Sequence, residues 1–345
     1  MLTKVIDNDI IHKLKAYIHK GDKFVIISHE MPDGDAIGSS LGWYHYLSSF
    51  DKKLIKVVVP NIFPDFLKWM TGANDIVIAE QFPDFARQLI MEADVIFCMD
   101  MNAIRRVGKL ASTLAASDAR KVLIDHHPDP ENFCKIEISF PEMCSASELV
   151  FRVICALGDV DLIDKAAAEC LYAGMMTDTG AFTFNSNNES IYVIISELLK
   201  KGIDKDDIYR KVYQVYSLSR VRLMGYVLLD KLKTYPEKRT ALFTLSRTEL
   251  NRFRYKCGDT ENFVNLPLSI KGIYFSVFMR EEKYLIKISL RSEGDFPCNV
   301  FASKIFNGGG HKNASGGEFY GTMEEAVKAF EEGLVLYNPN NFQKI

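Results

Sequence analysis

Short runs of apolar, β-branched residues recur through the first half of the chain: KFVIIS (23–28), IKVVV (55–59), DIVIA (75–79), DVIFCM (94–99) and KVLI (121–124). They are nearly continuous rather than alternating, as expected of strands buried on both faces. Helical patterns separate several of them, as in AIGSSLGWYHYLSSF (36–50) and FPDFARQLIMEA (82–93). Alternation of this kind predicts βαβ units, hence an α/β domain with a parallel sheet and helices on both faces. Such sheets bind ligands outside the carboxyl ends of their strands.

The pattern changes after about residue 187. SIYVIISELLKKG, DKDDIYRKVYQVY and SLSRVRLMGYVLLDKL carry helical spacing with no strand-like interruption, which predicts a helical connector over 188–236. Tyr209, Tyr213 and Tyr216, at spacings of four and three, are expected to form an interior helix stripe. Strand-like runs return in TALFTL, IYFSVFM and YLIKISL. They are followed by a helix (CNVFASKIF), a glycine-rich loop (NGGGHKNASGG) and a closing helix (MEEAVKAFEEGLVLY). The reading is therefore a domain over 1–187, a connector, and a smaller α+β domain over 237–345.

Composition narrows the class. With 345 residues the chain is long enough for two domains, and 48% hydrophobic with 25% charged residues is ordinary for a globular protein. No apolar run approaches the length of a membrane span, and the N-terminal stretch MLTKVIDNDIIHKLKAYIHKGDK reads as a charged amphipathic helix rather than a signal peptide. The seven cysteines include no CxxC pair, and Cys98, Cys155 and Cys170 sit in apolar segments, so a reduced, cytoplasmic protein is expected. A net charge of −3 argues against a long duplex nucleic acid held on a broad basic face. A short anionic substrate held by one or two local cations fits it.

Polar residues then fall where the predicted strands end. KFVIIS runs into His29, Asp33 and Asp35; DVIFCM into Asp100; KVLI into Asp125, His126 and His127. Asp178, in MMTDTGAF, follows the helical run AAAECLYAG. Crowded carboxylates repel one another unless cations neutralise them. Mixed His/Asp ligation suits Mn²⁺, Fe²⁺, Co²⁺ or Mg²⁺. Two such ions sharing a carboxylate would supply the chemistry of metal-assisted phosphoester hydrolysis. In GGGH, successive glycine N–H groups could form a concave nest for a phosphate, with His311 and Lys312 beside it. Phe182 and Phe184, in GAFTF, are candidates either for stacking on a nucleobase or for the core.

These stretches carry a family resemblance. HEMPDGDAIGS (29–39), MD (99–100), DHHP (125–128) and DTGAF (178–182) resemble the four motifs of the DHH phosphoesterase family, whose members include RecJ-like enzymes. GGGHKNASGG (308–317) resembles the signature of the DHH-associated C-terminal domain, and the overall arrangement resembles the nanoRNase/pAp phosphatase group. The resemblance implies two divalent ions, Mn²⁺ first, with Mg²⁺ or Co²⁺ as alternatives. His29, Asp33 and Asp100 would hold one; Asp35, Asp100, His126 and Asp178 the other, with Asp100 as the bridge. His127, Asp100, Arg291 and His311 would act in catalysis. Arg291, His311, Gly308, Gly309 and Gly310 would bind substrate in a cleft between the domains, and Asp125 would orient its neighbours. Met31 stands where the family usually has Asn, a position that is not a ligand.

The activity so implied is hydrolysis of short single-stranded RNA to mononucleotides and/or of 3′-phosphoadenosine 5′-phosphate (pAp) to AMP. Alternatives are pApA or cyclic dinucleotide hydrolysis, polyphosphate hydrolysis and, from a different class, a non-catalytic nucleotide sensor. The partner is a nucleotide or short RNA, with a homodimer compatible with the family and no membrane.

Overall fold

The structure is a computed structural model describing residues 6–341. The first five residues of the N-terminal helical pattern and the last four of the C-terminal domain lie outside the described residues. The chain divides into two compact units, Met1–Val215 and Tyr216–Ile345.

The first unit holds six strands: β1 (Lys23–Ile27), β2 (Leu54–Val59), β3 (Val77–Ile78), β4 (Val95–Met99), β5 (Arg120–Asp125) and β6 (Ile136–Ser139). All neighbouring pairs are parallel, in the order β3-β2-β1-β4-β5-β6. Among the described residues eight α-helices accompany them: α1 (Asn8–Lys20), α2 (Gly34–Ser48), α3 (Pro83–Glu92), α4 (Ala111–Ala116), α5 (Ala146–Leu157), α6 (Lys165–Asp178), α7 (Glu189–Lys200) and α8 (Lys205–Tyr213). Alternate β1 residues supply two cores. Phe24 and Ile26 pack with residues of α1, α2, α5 and α6. Val25 and Ile27 pack with Ala86, Leu89 and Ile90 of α3 and Leu114 of α4. The sheet is thus covered on both faces, as its apolar strands predicted. The chain winds outward from β1 to β3 and then restarts at β4 on the other side, so the ends of β1 and β4 flank the topological switch point.

One close helix contact shapes the site. Gly34, Gly38 and Gly42 line one face of α2 against α6. A Cβ on Gly38 would lie 2.6 Å from the Cys170 carbonyl oxygen and 2.9 Å from Gly174 Cα. Backbone cannot yield as a side chain does, so only glycine permits this approach. It draws the start of α2 to the end of α6, hence Asp35 towards Asp178.

The stretch expected to form the helical connector is shared between the two units. Helices α7 and α8 contribute Ile191, Ile194, Leu198, Ile208 and Val212 to the first unit's core, whereas the next helix, α9 (Leu218–Tyr226), packs Leu223 in the second. The tyrosine stripe is corrected as well. The buried face of α8 is Ile208 and Val212, Tyr209 is exposed, and Tyr216 lies beyond the helix with the Arg220 guanidinium 3.9 Å from its ring centroid. Aromatic spacing alone could not say which face turns inward.

The second unit continues with β7 (Lys233–Tyr235), β8 (Thr240–Leu245), α10 (Arg247–Arg252), β9 (Phe275–Glu281), β10 (Ile286–Ser292), α11 (Cys298–Ile305), β11 (Gly309–His311), β12 (Ala314–Phe319) and α12 (Met323–Leu336). Its sheet runs β11-β12-β10-β9-β8-β7, antiparallel except for β8–β9. Strand β7 falls at the end of the stretch expected to be almost wholly helical. Ile286, Ile288 and Leu290 of β10 face a core of Phe275, Phe296, Phe301, Phe306 and Phe330, leaving Lys287, Ser289 and Arg291 on the opposite face.

Candidate metal centre

Each acidic or imidazole group of the first unit arrives from the end of a separate element. Beyond β1 the chain turns through Met31, a non-glycine residue at φ 52° whose N–H donates to Asn61 Oδ1 at 2.6 Å. Asparagine tolerates that left-handed backbone better than methionine, which gives the departure at position 31 a conformational reading. Asp33 then caps α2, its Oδ1 accepting from the N–H groups of Asp35 and Ala36 at 3.0 and 3.1 Å. Asp100 follows β4, also left-handed at φ 55°. Asp125 ends β5, with His126 and His127 next, and Asp178 ends α6.

These groups converge. His29, Asp33 and Asp100 place donor atoms within 4.8 Å of one another; so do Asp35, Asp100 and His126, and so do Asp100, Asp125 and His127. Asp100 is common to all three. Its Oδ2 lies 3.4 Å from His29 Nε2, and its Oδ1 lies 3.5 Å from His126 Nε2 and 3.4 Å from His127 Nδ1. His126 Nε2 is also 3.4 Å from Asp178 Oδ2 and 3.9 Å from Asp35 Oδ2. Every metal ligand inferred from the sequence therefore lies in this cluster.

The rings are aimed by their other nitrogens. His29 Nδ1 is 2.8 Å from the Glu30 carbonyl oxygen and His126 Nδ1 is 3.2 Å from that of Met143, so each N–H donates backwards and Nε2 points into the cluster. His127 Nδ1 donates instead to Asp125 Oδ1 at 2.8 Å, the orienting role expected of Asp125. A buried chain fixes the Met143 turn: Arg152 pairs with Glu148 at 2.6 Å, and Glu148 accepts the Cys144 N–H at 2.8 Å.

Electrostatics match a cation site. Burial raises the Asp35 carboxyl well above its ordinary pKa, with Asp100 and Asp178 adding like charge. Burial pushes Asp100 upward too, but His126 and His29 beside it prevail and hold it well below the ordinary value. Burial would depress His126, yet Asp178, Asp100 and Asp35 keep it well above the usual imidazole value. His127 is pushed down by burial, against its Asp125 hydrogen bond. Crowded like charges that split their titrations in this way are relieved by a divalent ion. The donors fit one: carboxylate oxygens and imidazole nitrogens without thiolate, with Asp100 Oδ1 and Asp125 Oδ2 buried and hydrogen-bonded to nothing among the described residues.

Three contributors escaped the sequence reading. Ala146 and Ser147, opening α5, donate backbone N–H groups to the two Asp35 oxygens at 2.6 and 2.9 Å, placing a helix N-terminus behind that carboxylate. The signal for α5 was present as Ser145 three residues before Glu148, ahead of an apolar run. Arg106, six positions beyond Asp100, lends positive charge to His29 and His127.

In the second unit, Arg291 lies on β10 and its Nη1 donates to the Leu290 carbonyl oxygen at 2.9 Å. The GGGH stretch is not the expected loop: Gly309–His311 forms edge strand β11, paired with β12. Close backbone approach accounts for its glycines, since a Cβ on Gly308 would meet the Gly316 carbonyl oxygen at 2.0 Å. The Gly308 N–H is taken by Ala302 O, and Lys312 Nζ pairs with Asp295 at 2.9 Å.

Comparison with known proteins identifies the family and the fold. Residues 23–175 match the model of the DHH family, N-terminal domain, and residues 248–335 match the DHHA1 domain. The chain is 59% identical to an exopolyphosphatase-related protein from Bacteroides fragilis of solved structure, covering 98% of this chain and 99% of that one with a TM-score of 0.92. It is 29% identical to the bifunctional oligoribonuclease and PAP phosphatase NrnA of Thermus thermophilus, over 90% of this chain and 89% of the relative. RecJ from Thermus thermophilus, solved in complex with Mn²⁺, shares the fold at 12% identity and a TM-score of 0.50, with 98% of this chain and 55% of RecJ covered. The chain belongs to the DHH family of phosphoester hydrolases.

Proposed function

We propose that the protein hydrolyses short oligoribonucleotides to mononucleotides and pAp to AMP, using two divalent ions, Mn²⁺ first. The observation that carries this reading is Asp100, shared by three donor groups at the switch point of the sheet. His29, Asp33 and Asp100 would hold one ion; Asp35, Asp100, His126 and Asp178 the other. When bound, such a pair activates water and neutralises charge on the phosphoryl oxygens. His127, tethered through Nδ1 to Asp125, leaves Nε2 to meet a phosphoryl or leaving-group oxygen. Burial disfavours the imidazolium, so the negative charge of a bound phosphate would supply the compensation that lets Nε2–H pass a proton to that leaving oxygen. The activity named for the Thermus relative, aligned over most of both chains, supports the substrate class.

The test offers the purified protein, with Mn²⁺ and with or without EDTA, a ribotrinucleotide, pAp, pApA and inorganic polyphosphate. EDTA-sensitive release of mononucleotides from the trimer, or of phosphate from pAp, is expected. Turnover confined to polyphosphate, the substrate suggested by the name of the Bacteroides relative, would replace this reading.

Substrate binding in the second unit is assigned to Arg291 and His311 with Gly309 and Gly310 beside them, Gly308 serving the close approach to β12 because its N–H is taken by Ala302 O. Arg291→Ala is expected to raise KM for the trimer about ten- to a hundred-fold, the worth of a charge-assisted hydrogen bond, with kcat little changed. A fall in kcat at constant KM would remove Arg291 from substrate binding.

A further inference from the structure

Immediately after Asp178 the backbone takes an unusual course. Gly180, Ala181 and Phe182 are all left-handed, at φ 54°, 59° and 63°, and Asn185 follows at 47°. Left-handed backbone costs an ordinary residue about 1–2 kcal/mol, so the turn must be held by its surroundings. Thr179 does much of this: its Oγ1 accepts the Phe182 N–H at 3.0 Å and its carbonyl oxygen accepts the N–H groups of Thr183 and Phe184. Ala181 N–H donates to Met176 O at 2.8 Å, and Ser186 Oγ donates to Phe182 O at 2.9 Å. Strain maintained in this way clusters at functional sites.

The turn walls a cavity of about 330 Å³, lined by Phe182, Phe184, Tyr192, Asn185, Asn187 and Glu142 among others. Phe184 and Tyr192 are 41% and 52% exposed. The side-chain amides of Asn185 and Asn187 make no hydrogen bond among the described residues. No lysine or arginine lines the cavity, and Glu142 would repel a phosphate. Both walls abut the metal centre along the chain: Phe182 is four residues from Asp178, and Glu142 precedes Met143, whose carbonyl oxygen holds His126.

We infer that this cavity is a nucleobase subsite of the first unit, which takes the base of a nucleotide whose phosphate lies at the metal centre; it rests on the function proposed above. Aromatic faces stack on any base, asparagine amides match the paired donors and acceptors of a base edge, and a glutamate accepts from exocyclic amino groups. With no lining cation among the described residues to hold a phosphate, and with Glu142 to repel one, the base is assigned to this wall and the phosphate to the metal centre.

Calorimetric titration of the full chain with AMP and with ribose 5-phosphate, both in Mn²⁺, tests the subsite without requiring turnover. AMP is expected to bind at least about ten-fold more tightly, in keeping with a stacked base. Phe184→Ala and Tyr192→Ala should each cut that advantage several-fold while leaving ribose 5-phosphate affinity and the thermal midpoint unchanged. Asn187→Asp, which keeps the shape but removes a donor, should weaken AMP alone. Equal affinity of the parent for the two ligands, no binding of either, or an advantage that survives all three substitutions overturns the subsite. A retained AMP preference with no cleavage of RNA or pAp overturns only the proposed function.

Discussion

Replacing Asp100 by asparagine is expected to lower kcat by about a thousand-fold or more while leaving the fold intact. Residues that merely support a ligand are typically worth about ten- to a hundred-fold, and Asp100 stands in three donor groups at once. Asparagine suits the substitution because it tolerates the left-handed backbone at this position (φ 55°) and keeps the side-chain shape. The lost charge should also reduce the Mn²⁺ bound per chain at equilibrium, so metal stoichiometry and steady-state rates together form the measurement. Turnover of the variant within a few-fold of the parent would remove Asp100 as the bridge.

Stripping divalent ions is expected to abolish turnover and to lower stability, with Mn²⁺ restoring both. Asp33, Asp35, Asp100 and Asp178 crowd a largely buried site, and an ion that binds only the folded state stabilises it by mass action. At a hundred-fold excess over Kd that amounts to about 2.7 kcal/mol per site. Urea unfolding of the parent should therefore shift to higher midpoint as Mn²⁺ is titrated, and the Asp100→Asn variant should show a much smaller shift. A midpoint indifferent to Mn²⁺ in the parent would mean that the cluster does not hold the ion in solution.

The metal centre was unusually legible because its donors lie at points where local pattern is most informative. Apolar runs predicted β1, β2, β3, β4 and β5, and the donors stand just beyond three of them, at His29, Asp100 and His126. Strand β6, short and half polar, went unpredicted, as did α5. The GGGH stretch misled in the opposite direction. Three glycines read as loop chemistry, yet Gly309 and Gly310 enter an edge strand and Gly308 leads into it, because Gly308 and Gly310 must approach Gly316 and Ala314 of β12 without side chains. Nothing local distinguishes a glycine that needs freedom from one that needs closeness.

By itself the sequence determined which side chains are candidates for the chemistry, the type of each element bearing them and the parallel character of the first sheet, since these follow from periodicity and residue type over a few turns of chain. Only the tertiary structure decided that these donors share one site. Asp35 meets the N–H groups of Ala146 and Ser147 more than a hundred positions away, and the Gly38–Gly174 contact brings α6 and Asp178 to α2. The placement of β4 beside β1 sets Asp100 between His29 and His126. Those distances depend on strand order and helix packing, which are settled by burial summed over the whole unit and leave no trace in any short stretch of residues.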